Sequence, residues 1–170
     1  GTTSTTGVMM GLSGALAGMA GATPSTIAWP AANRAIWVPF YLFETVTVLK
    51  MFWHNGAITA TGTADIGIYD SAFARQVSNG ATDTAGANVL QELDVANTVL
   101  PAGRYYMVLV VDNTTDQMFA ILNIGASLLR GTGMAQEAQG ATAIPATGTP
   151  AVISSAYVPY FGLSFRTLVA

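Results

Sequence analysis

The sequence predicts an all-β protein, an antiparallel β-sandwich of jelly-roll type with about eight strands and an extended N-terminal arm. Three observations lead to this prediction. Short segments rich in β-branched and aromatic residues follow one another at close spacing. Glycine, proline and asparagine residues separate these segments, as turns require. No segment has the pattern of a convincing amphipathic helix, and no internal repeat with a fixed period is present.

The chain carries very little charge for its length. Of its 170 residues, 6 are basic and 9 are acidic, so 9% are charged while 51% are hydrophobic. A soluble domain ordinarily has about 25% charged residues. The composition therefore predicts that neighbouring chains, rather than solvent alone, cover a large part of the surface.

Composition also argues against several classes of function. The basic residues lie far apart in sequence, so we expect no nucleic-acid binding. The absence of cysteine excludes disulfides and thiolate metal sites. The uncharged stretch at residues 7–22 is shorter than the roughly 20 residues that span a bilayer, so membrane insertion is not expected. We predict no cofactor.

Residues 1–35 differ from the rest of the chain and are interpreted as an N-terminal arm. They are rich in Thr, Gly, Ala and Met and hold one charged residue, Arg34. The many small residues at 7–22 make a poor isolated helix. We expect this stretch to be an extended arm that docks on a partner, with a short buried helix as the alternative. The β-sandwich domain is predicted to occupy residues 36–170.

The first strands of the sandwich are predicted from β-branched and aromatic segments. Thr45–His54 is partly apolar on both alternating faces, which is typical of a strand that is covered on both sides. Asn55-Gly56 then predicts a turn. Ala64–Asp70 places two isoleucines on one face, and Arg75–Asn79 is expected to close a hairpin with it.

The next strands are predicted around a second turn. Val89–Val95 alternates between apolar and polar residues. Leu100–Gly103 fits a type I turn, because proline is its second residue and glycine its fourth. Arg104–Val111 is apolar on both faces, so we expect it at the centre of a sheet.

The last third of the chain gives weaker signals. Gln117–Ile124 is another segment that is apolar on both faces. Residues 125–156 are rich in Gly, Ala, Thr and Pro, and are predicted to form a long excursion with one short strand near Met134–Gln139. Tyr157–Leu168 is expected to close the fold.

The sequence contains few candidate catalytic residues. The single histidine, His54, lies at a predicted strand end, and no Gly-x-Ser-x-Gly motif supplies a nucleophile. We expect His54 in solvent or in a subunit contact. Glu92 and Asp94 share one strand face about 7 Å apart, a separation that glycoside hydrolysis allows. An exposed strand face accounts for this pair more simply, so no catalytic residue and no enzymatic activity are predicted.

Oxygen-bearing side chains cluster in one predicted loop, at Asp112, Asn113 and Asp116. Such ligands suit Ca²⁺. The segment lacks the glycine and the terminal glutamate of an EF-hand loop, and ordinary loop composition accounts for it. No metal site is predicted.

Three tryptophans are the candidate ligand-binding residues, at positions Trp29, Trp37 and Trp53. Exposed aromatic rings stack on sugars, so these residues suggest a carbohydrate-binding adhesion module that recognises a host-surface glycan. Their apolar surroundings in the sequence equally fit core packing. Both interpretations remain open from the sequence.

Two pairs of segments resemble a known module. Trp29–Phe40 (WPAANRAIWVPF) followed by Thr45–Gly56 resembles the opening of a jelly-roll-like β-sandwich found in structural proteins of tailed bacteriophages. Asp65–Asp70 (DIGIYD) followed by Leu100–Tyr106 (LPAGRYY) resembles its middle. The second pattern is also similar to jelly-roll modules of secreted hydrolases and carbohydrate-binding proteins. The likeness covers roughly residues 29–112.

The resemblance implies a non-enzymatic structural protein located in a virion, either a capsid decoration or a tail or fibre component. Its implied partners are other virion proteins and further copies of itself, with a trimer among the oligomers considered. It carries over no catalytic or ligand-binding residue.

Overall fold

The protein is built from antiparallel β-strands, which confirms the predicted all-β sandwich. The computed structural model describes residues 3–9, 23–59 and 62–169. Within these residues one short helix, α1 (Ala126–Gly131), accompanies fourteen strands: β1 (Thr3–Met9), β2 (Thr23–Ala28), β3 (Arg34–Leu42), β4 (Val46–His54), β5 (Thr63–Asp70), β6 (Arg75–Ser78), β7 (Thr82–Asp83), β8 (Leu90–Leu100), β9 (Gly103–Val111), β10 (Gln117–Leu122), β11 (Ala135–Ala138), β12 (Ala151–Val152), β13 (Val158–Pro159) and β14 (Phe161–Val169).

The strands form three hydrogen-bonded sheets. Sheet I is four-stranded, with the order β1-β14-β4-β8, and sheet II is three-stranded, with the order β13-β10-β2. A bridge between Asn55 and Met118 links these two sheets. Sheet III is seven-stranded, with the order β12-β11-β3-β9-β5-β6 and with β7 also paired to β5.

The main core lies between sheet III on one side and sheets I and II on the other. Alternate residues of β3, β5 and β9 on one face of sheet III pack in a single cluster with buried residues of β4, β10 and β14. Val46, Val48, Met51 and Trp53 are the β4 residues in that cluster. A bulge between Val48 and Lys50 shifts the alternation, so that both ends of β4 point apolar side chains inward.

The opposite face of sheet III carries a second, smaller core, covered by a loop. Trp37, Tyr69 and Tyr106 pack there with Ile144 of the 139–150 segment. The loop approaches closely: a Cβ added at Gly148 would lie 2.1 Å from Cη2 of Trp37, and one at Gly67 would lie 2.1 Å from Cδ1 of Ile144. Both positions therefore require glycine.

This double coverage accounts for the apolar pattern of β9. The sequence predicts a central position for this strand, and β9 does lie between β3 and β5. From Tyr105 to Val111, its odd-numbered residues belong to the main core and its even-numbered residues to the second core. The predicted hairpin of β5 and β6 and the predicted short strand at 134–139, which is β11, are also present.

Other details differ from the prediction. Asn55 and Gly56 do not form a hairpin turn, because β4 and β5 belong to different sheets. Instead the Gly56 N–H donates to the Gln117 carbonyl at 2.6 Å. The strand count exceeds eight mainly because two-residue strands such as β7, β12 and β13 carry no readable sequence pattern.

Two described parts of the predicted arm are strands of the sheets. β1 pairs with β14 from Thr3 opposite Val169 to Met9 opposite Leu163. β2 pairs with β10, and the predicted boundary at residue 35 falls inside β3. Residues 10–22, which include most of the Gly-rich stretch, lie outside the described residues. The division into an arm and a sandwich stays a prediction.

Candidate functional site

The three tryptophans proposed as glycan-facing residues are buried. Trp29, Trp37 and Trp53 are each 1% exposed or less. Nε1 of Trp29 donates to the Arg34 carbonyl at 2.7 Å, and Nε1 of Trp53 donates to Oδ1 of Asn55 at 2.8 Å. A ring that stacks on a sugar needs an exposed face, so these side chains form no stacking platform in this structure. Glycan binding by the chain stays a prediction.

Trp37 lies at the centre of the second core. Its ring centroid is 4.5 Å from that of Tyr69 and 5.9 Å from those of Phe73 and Tyr106. Aromatic clusters of this kind stabilise a fold by apolar burial and favourable edge-to-face contacts. The position of Trp37 is therefore structural.

The carboxylates Glu92 and Asp94 lie on the exposed face of β8, as expected from strand alternation. Nζ of Lys50 on the neighbouring β4 is 2.6 Å from Oε1 of Glu92, and Lys50 stands opposite Asp94 in the register. This contact raises the pKa of Lys50, first through the hydrogen bond to Glu92 and then through its charge. Glu92 thus forms a surface ion pair with Lys50, an arrangement that has little effect on stability.

The side-chain oxygen atoms of Asp112, Asn113 and Asp116 accept hydrogen bonds from within the protein. Oδ2 of Asp112 accepts from Oγ1 of Thr63 at 3.0 Å, and Oδ2 of Asp116 accepts from Oγ1 of Thr84 at 2.7 Å. Oδ1 of Asn113 accepts from the Asp116 N–H at 2.7 Å, as in an Asx-turn. These bonds give the loop a structural role.

His54 belongs to an aromatic cluster on the outer side of sheets I and II. Its ring centroid lies 5.1 Å from that of Phe119 and 6.3 Å from that of Tyr160, and Phe119 and Tyr160 are 5.9 Å apart. All three side chains are half-buried. Leu90, which pairs with His54, is 49% exposed beside them. We call His54, Phe119 and Tyr160 the outer aromatic cluster.

A second exposed apolar surface lies at the connection between β3 and β4. Phe43 is 96% exposed and Tyr41 is 56% exposed. Beside them is a hollow of about 140 Å³, to which Val46 and Phe165 also contribute. We call Tyr41, Phe43 and this hollow the apolar tip. A phenylalanine so fully in water costs free energy unless another surface covers it.

Two free sheet edges flank a polar groove. β6 is the edge of sheet III and β8 is the edge of sheet I. The groove between them has a volume of about 480 Å³ and is lined by Arg75–Gly80 together with Ala96 and Thr98. Unpaired edge strands can accept a strand from another chain.

Sequence reasoning missed both exposed apolar surfaces, although a signal for one was present. In Gln117–Leu122, Phe119 has the opposite parity to the buried Met118 and Ala120, so alternation alone places it outside. No comparable signal marked Phe43, because its exposure depends on how the connection after β3 leaves the sheet.

Two kinds of functional feature are missing from the part of the chain that the structure describes. No three histidine, aspartate or glutamate side chains come together as a metal site would require. Among those same residues, no helix has the length and apolar character needed to cross a membrane.

Comparison with known proteins gives a distant structural likeness. No protein family matches the sequence, and no curated protein matches it either. The fold is similar to a chain in the structure of infectious bursal disease virus Gx strain, with a TM-score of 0.41 and 12% identity. It is also similar to a chain of the VP2 subviral particle of that virus, with a TM-score of 0.34 and 12% identity.

Both alignments cover 98% of this chain and 42% of the viral chain, so this protein spans less than half the length of the proteins it resembles. The likeness is thus a distant one to a virus particle protein. Similarity of this degree assigns neither a family nor an activity.

Proposed function

We propose that the protein is a non-enzymatic structural subunit of a virion, either a capsid decoration or a tail or fibre component, which assembles through subunit contacts. Its partners are other virion proteins and further copies of this chain. The virion setting rests on the sequence resemblance to structural proteins of tailed bacteriophages. The assembly role rests on the surface of the molecule.

The observation that carries the assembly role is the exposure of Phe43. At 96% exposed, it presents nearly its whole ring to solvent next to a hollow lined by Leu42, Val46 and Phe165. Aromatic residues are enriched in the buried centres of protein interfaces, where charged residues are depleted. They also carry a large share of the binding free energy. The apolar tip has this composition, with Glu44 as its one charged residue.

The rest of the surface supports the same role. The outer aromatic cluster and Leu90 form a second exposed apolar area, and Val99 and Val152 are more than 60% exposed elsewhere. Only 9% of the residues are charged, so few ionic groups oppose the burial of these surfaces against another subunit. Repetition around a closed symmetric assembly multiplies each modest contact.

A Phe43→Ser variant tests the assembly role. Loss of the ring from an interface centre should weaken self-association or incorporation into particles at least tenfold, about 1.4 kcal/mol. The free energy of unfolding of the isolated chain should change by less than about 0.5 kcal/mol, because the residue is exposed. Sedimentation velocity over a concentration series and particle co-purification measure the first quantity, and urea unfolding the second.

Leu128→Ser is the matched control. Leu128 is an exposed apolar residue on α1 (44% exposed), so its replacement makes a similar chemical change elsewhere on the molecule. Equal weakening by both variants would show non-specific association. A wild-type chain that stays monomeric and never enters particles would contradict the proposed function itself.

A further inference from the structure

A cavity beside the second core combines an apolar lining with an arginine. Its volume is about 390 Å³, which is in the range of sites that bind small molecules. Phe73 and Tyr106 contribute aromatic rings to the lining, and the segments around Ala135 and Ala151 contribute aliphatic groups. The charged residue of the lining is Arg130, at the end of α1. We call this the Arg130 cavity.

Arg130 is held at the wall of the cavity by a bond to the backbone. Its Nε donates to the Ile153 carbonyl at 3.0 Å, and Ile153 follows the lining residue Val152. A guanidinium has five N–H groups, so four remain on its two terminal nitrogens. Within the described residues Arg130 has no further hydrogen bond, and no acidic side chain pairs with it.

A second guanidinium lies at the border of the cavity. Cζ of Arg104 is 5.0 Å from the ring centroid of the lining residue Tyr106. A Cβ added at Gly133 would lie 3.2 Å from Nη2 of Arg104, and Gly133 precedes the lining residue Met134. Arg104 forms no salt bridge with a described residue either. The cavity thus carries positive charge that no carboxylate in the described part of the chain balances.

Phe73 reaches the cavity through a backbone conformation that is unusual for a large side chain. Its φ is 61°, in the left-handed region. Its N–H donates to the Asp70 carbonyl at 3.1 Å, and its carbonyl accepts from the Gly148 N–H at 2.9 Å, so both neighbouring segments fix it. Its ring centroid lies 5.5 Å from that of Tyr106. Residues in such conformations are concentrated at ligand sites.

These features suit an anion that carries an apolar group. A carboxylate offers two acceptor oxygens that match the paired N–H groups of a guanidinium, and the resulting bonds are charge-assisted. A neutral apolar molecule would leave the guanidinium without a partner. A small inorganic anion would leave the aromatic rings uncovered.

We propose that the Arg130 cavity binds a small organic acid, an aromatic or branched aliphatic carboxylate. The carboxylate pairs with the terminal N–H groups of Arg130, and Arg104 supplies a second positive charge. The apolar part of the acid packs against Phe73 and Tyr106. This cavity shares no lining residue with the apolar tip, so the proposal goes beyond the assembly role and does not depend on it.

Three probes separate the contributions of charge and apolar contact. Phenylacetate has both a ring and a carboxylate, phenylacetamide keeps the ring without the charge, and acetate keeps the charge without the ring. In NMR titrations of the ¹⁵N-labelled chain, we expect phenylacetate to shift the amide resonances of Ala135, Ala151 and Val152 to saturation. Its Kd should be lower than those of the other two probes by about tenfold or more.

Arginine variants test which guanidinium binds the carboxylate. Arg130→Gln should weaken phenylacetate binding by about tenfold or more and leave phenylacetamide binding unchanged. Arg104→Gln should weaken it by about threefold, because its charge acts from the border of the cavity. Arg166→Gln is the matched control, since Arg166 is an exposed arginine of β14, and it should leave binding unchanged.

Ala151→Leu tests whether the response comes from this cavity. Ala151 is exposed and lines the cavity, so a larger side chain there fills the space while the urea unfolding transition stays as in the wild type. We expect it to abolish phenylacetate binding. No saturable response to phenylacetate, equal affinity for phenylacetamide, or binding that survives Arg130→Gln undiminished would overturn the proposal.

Discussion

The two faces of sheet III are covered in different ways. The first face packs against other sheets, and its residues Ile66, Ile68 and Leu109 lie in a continuous apolar core. The second face packs under the 139–150 loop, and its core includes Trp37 and Tyr69. Two buried carboxylates bond to the covering segment on the second side: Asp65 accepts from the Ile144 N–H and Glu137 accepts from the Thr149 hydroxyl.

The difference shows that a loop, when it covers a sheet in place of a second sheet, contributes backbone groups that need hydrogen-bond partners. A sheet uses its backbone hydrogen bonds within itself, so it offers side chains alone to the facing layer. A loop keeps free backbone groups that need partners. Accordingly, Tyr69 donates to the Pro145 carbonyl at 2.5 Å, and the Ile144 N–H donates to Oδ2 of Asp65 at 2.9 Å. The second face thus carries polar side chains that bond to the backbone of the loop.

A matched pair of isoleucine substitutions gives the largest expected effect. Ile66 and Ile144 are both fully buried: Ile66 lies between the sheets, and Ile144 is a residue of the covering loop. We expect Ile66→Ala to reduce the free energy of unfolding by about 4 kcal/mol and Ile144→Ala by about 2 kcal/mol. The loop can move into the vacated space, whereas the two sheets cannot close without shifting whole strands. Urea unfolding measures both values.

Tryptophan fluorescence complements this pair of variants. Ile144→Ala should alter the emission of Trp37 at urea concentrations below global unfolding, because the covering loop loosens first. Equal losses of stability in the two variants, with a single transition for each, would show that the loop is as rigid a cover as a sheet.

A smaller effect is expected from the hydrogen bond between the second face and the loop. Tyr69→Phe removes the donor to the Pro145 carbonyl and should cost about 1 kcal/mol in urea unfolding. Tyr106→Phe is the control, since Tyr106 lies in the same core but its hydroxyl forms no hydrogen bond with the described residues. If the two variants lose the same free energy, the loop carbonyl does not depend on Tyr69.

The smallest effect concerns pH. Burial raises the pKa of Asp65 above its ordinary value of 3.8, although bonds from the Ile144 N–H and the Ser78 hydroxyl oppose the shift. The folded protein therefore holds this proton to a higher pH than the unfolded chain does. The stabilising contribution of Asp65 is complete below pH 3.8 and is lost as the pH rises through the folded pKa.

Comparison with Asp65→Asn isolates this contribution. Unfolding free energies of both proteins are measured between about pH 3 and pH 7. The wild type minus variant difference should become less favourable to the wild type as the pH rises. A difference that is constant, or that changes in the opposite direction, would contradict the assignment of Asp65 as a carboxyl that burial disfavours in its charged form.

Much of the sandwich could be predicted from periodicity. Alternation placed the isoleucines of β5 in the core, and the two apolar faces of β9 identified the centre of a sheet. The cover of the second face could not be predicted, because residues 139–150 show no period and contact strands that are distant in sequence. The burial of Trp37 depends on this unpredicted cover.

The candidate site was harder to predict for a related reason. Composition shows that charge is scarce, but it does not distinguish the buried Trp53 from the exposed Phe43, since both lie in apolar surroundings in the sequence. Glu137 resembled an ordinary polar residue of a short strand. Its burial emerges only when the loop folds back over the second core.

During synthesis, β1 (Thr3–Met9) cannot form its pairing in sheet I until β14 has been translated. Its neighbour in sheet I is Phe161–Val169, which follows every other described strand in the order of synthesis. β14 also pairs with β4. Its synthesis therefore allows both the β1–β14 and the β14–β4 pairings to form. A chain that lacks residues 161–169 would leave β1 and β4 without the strand that joins them.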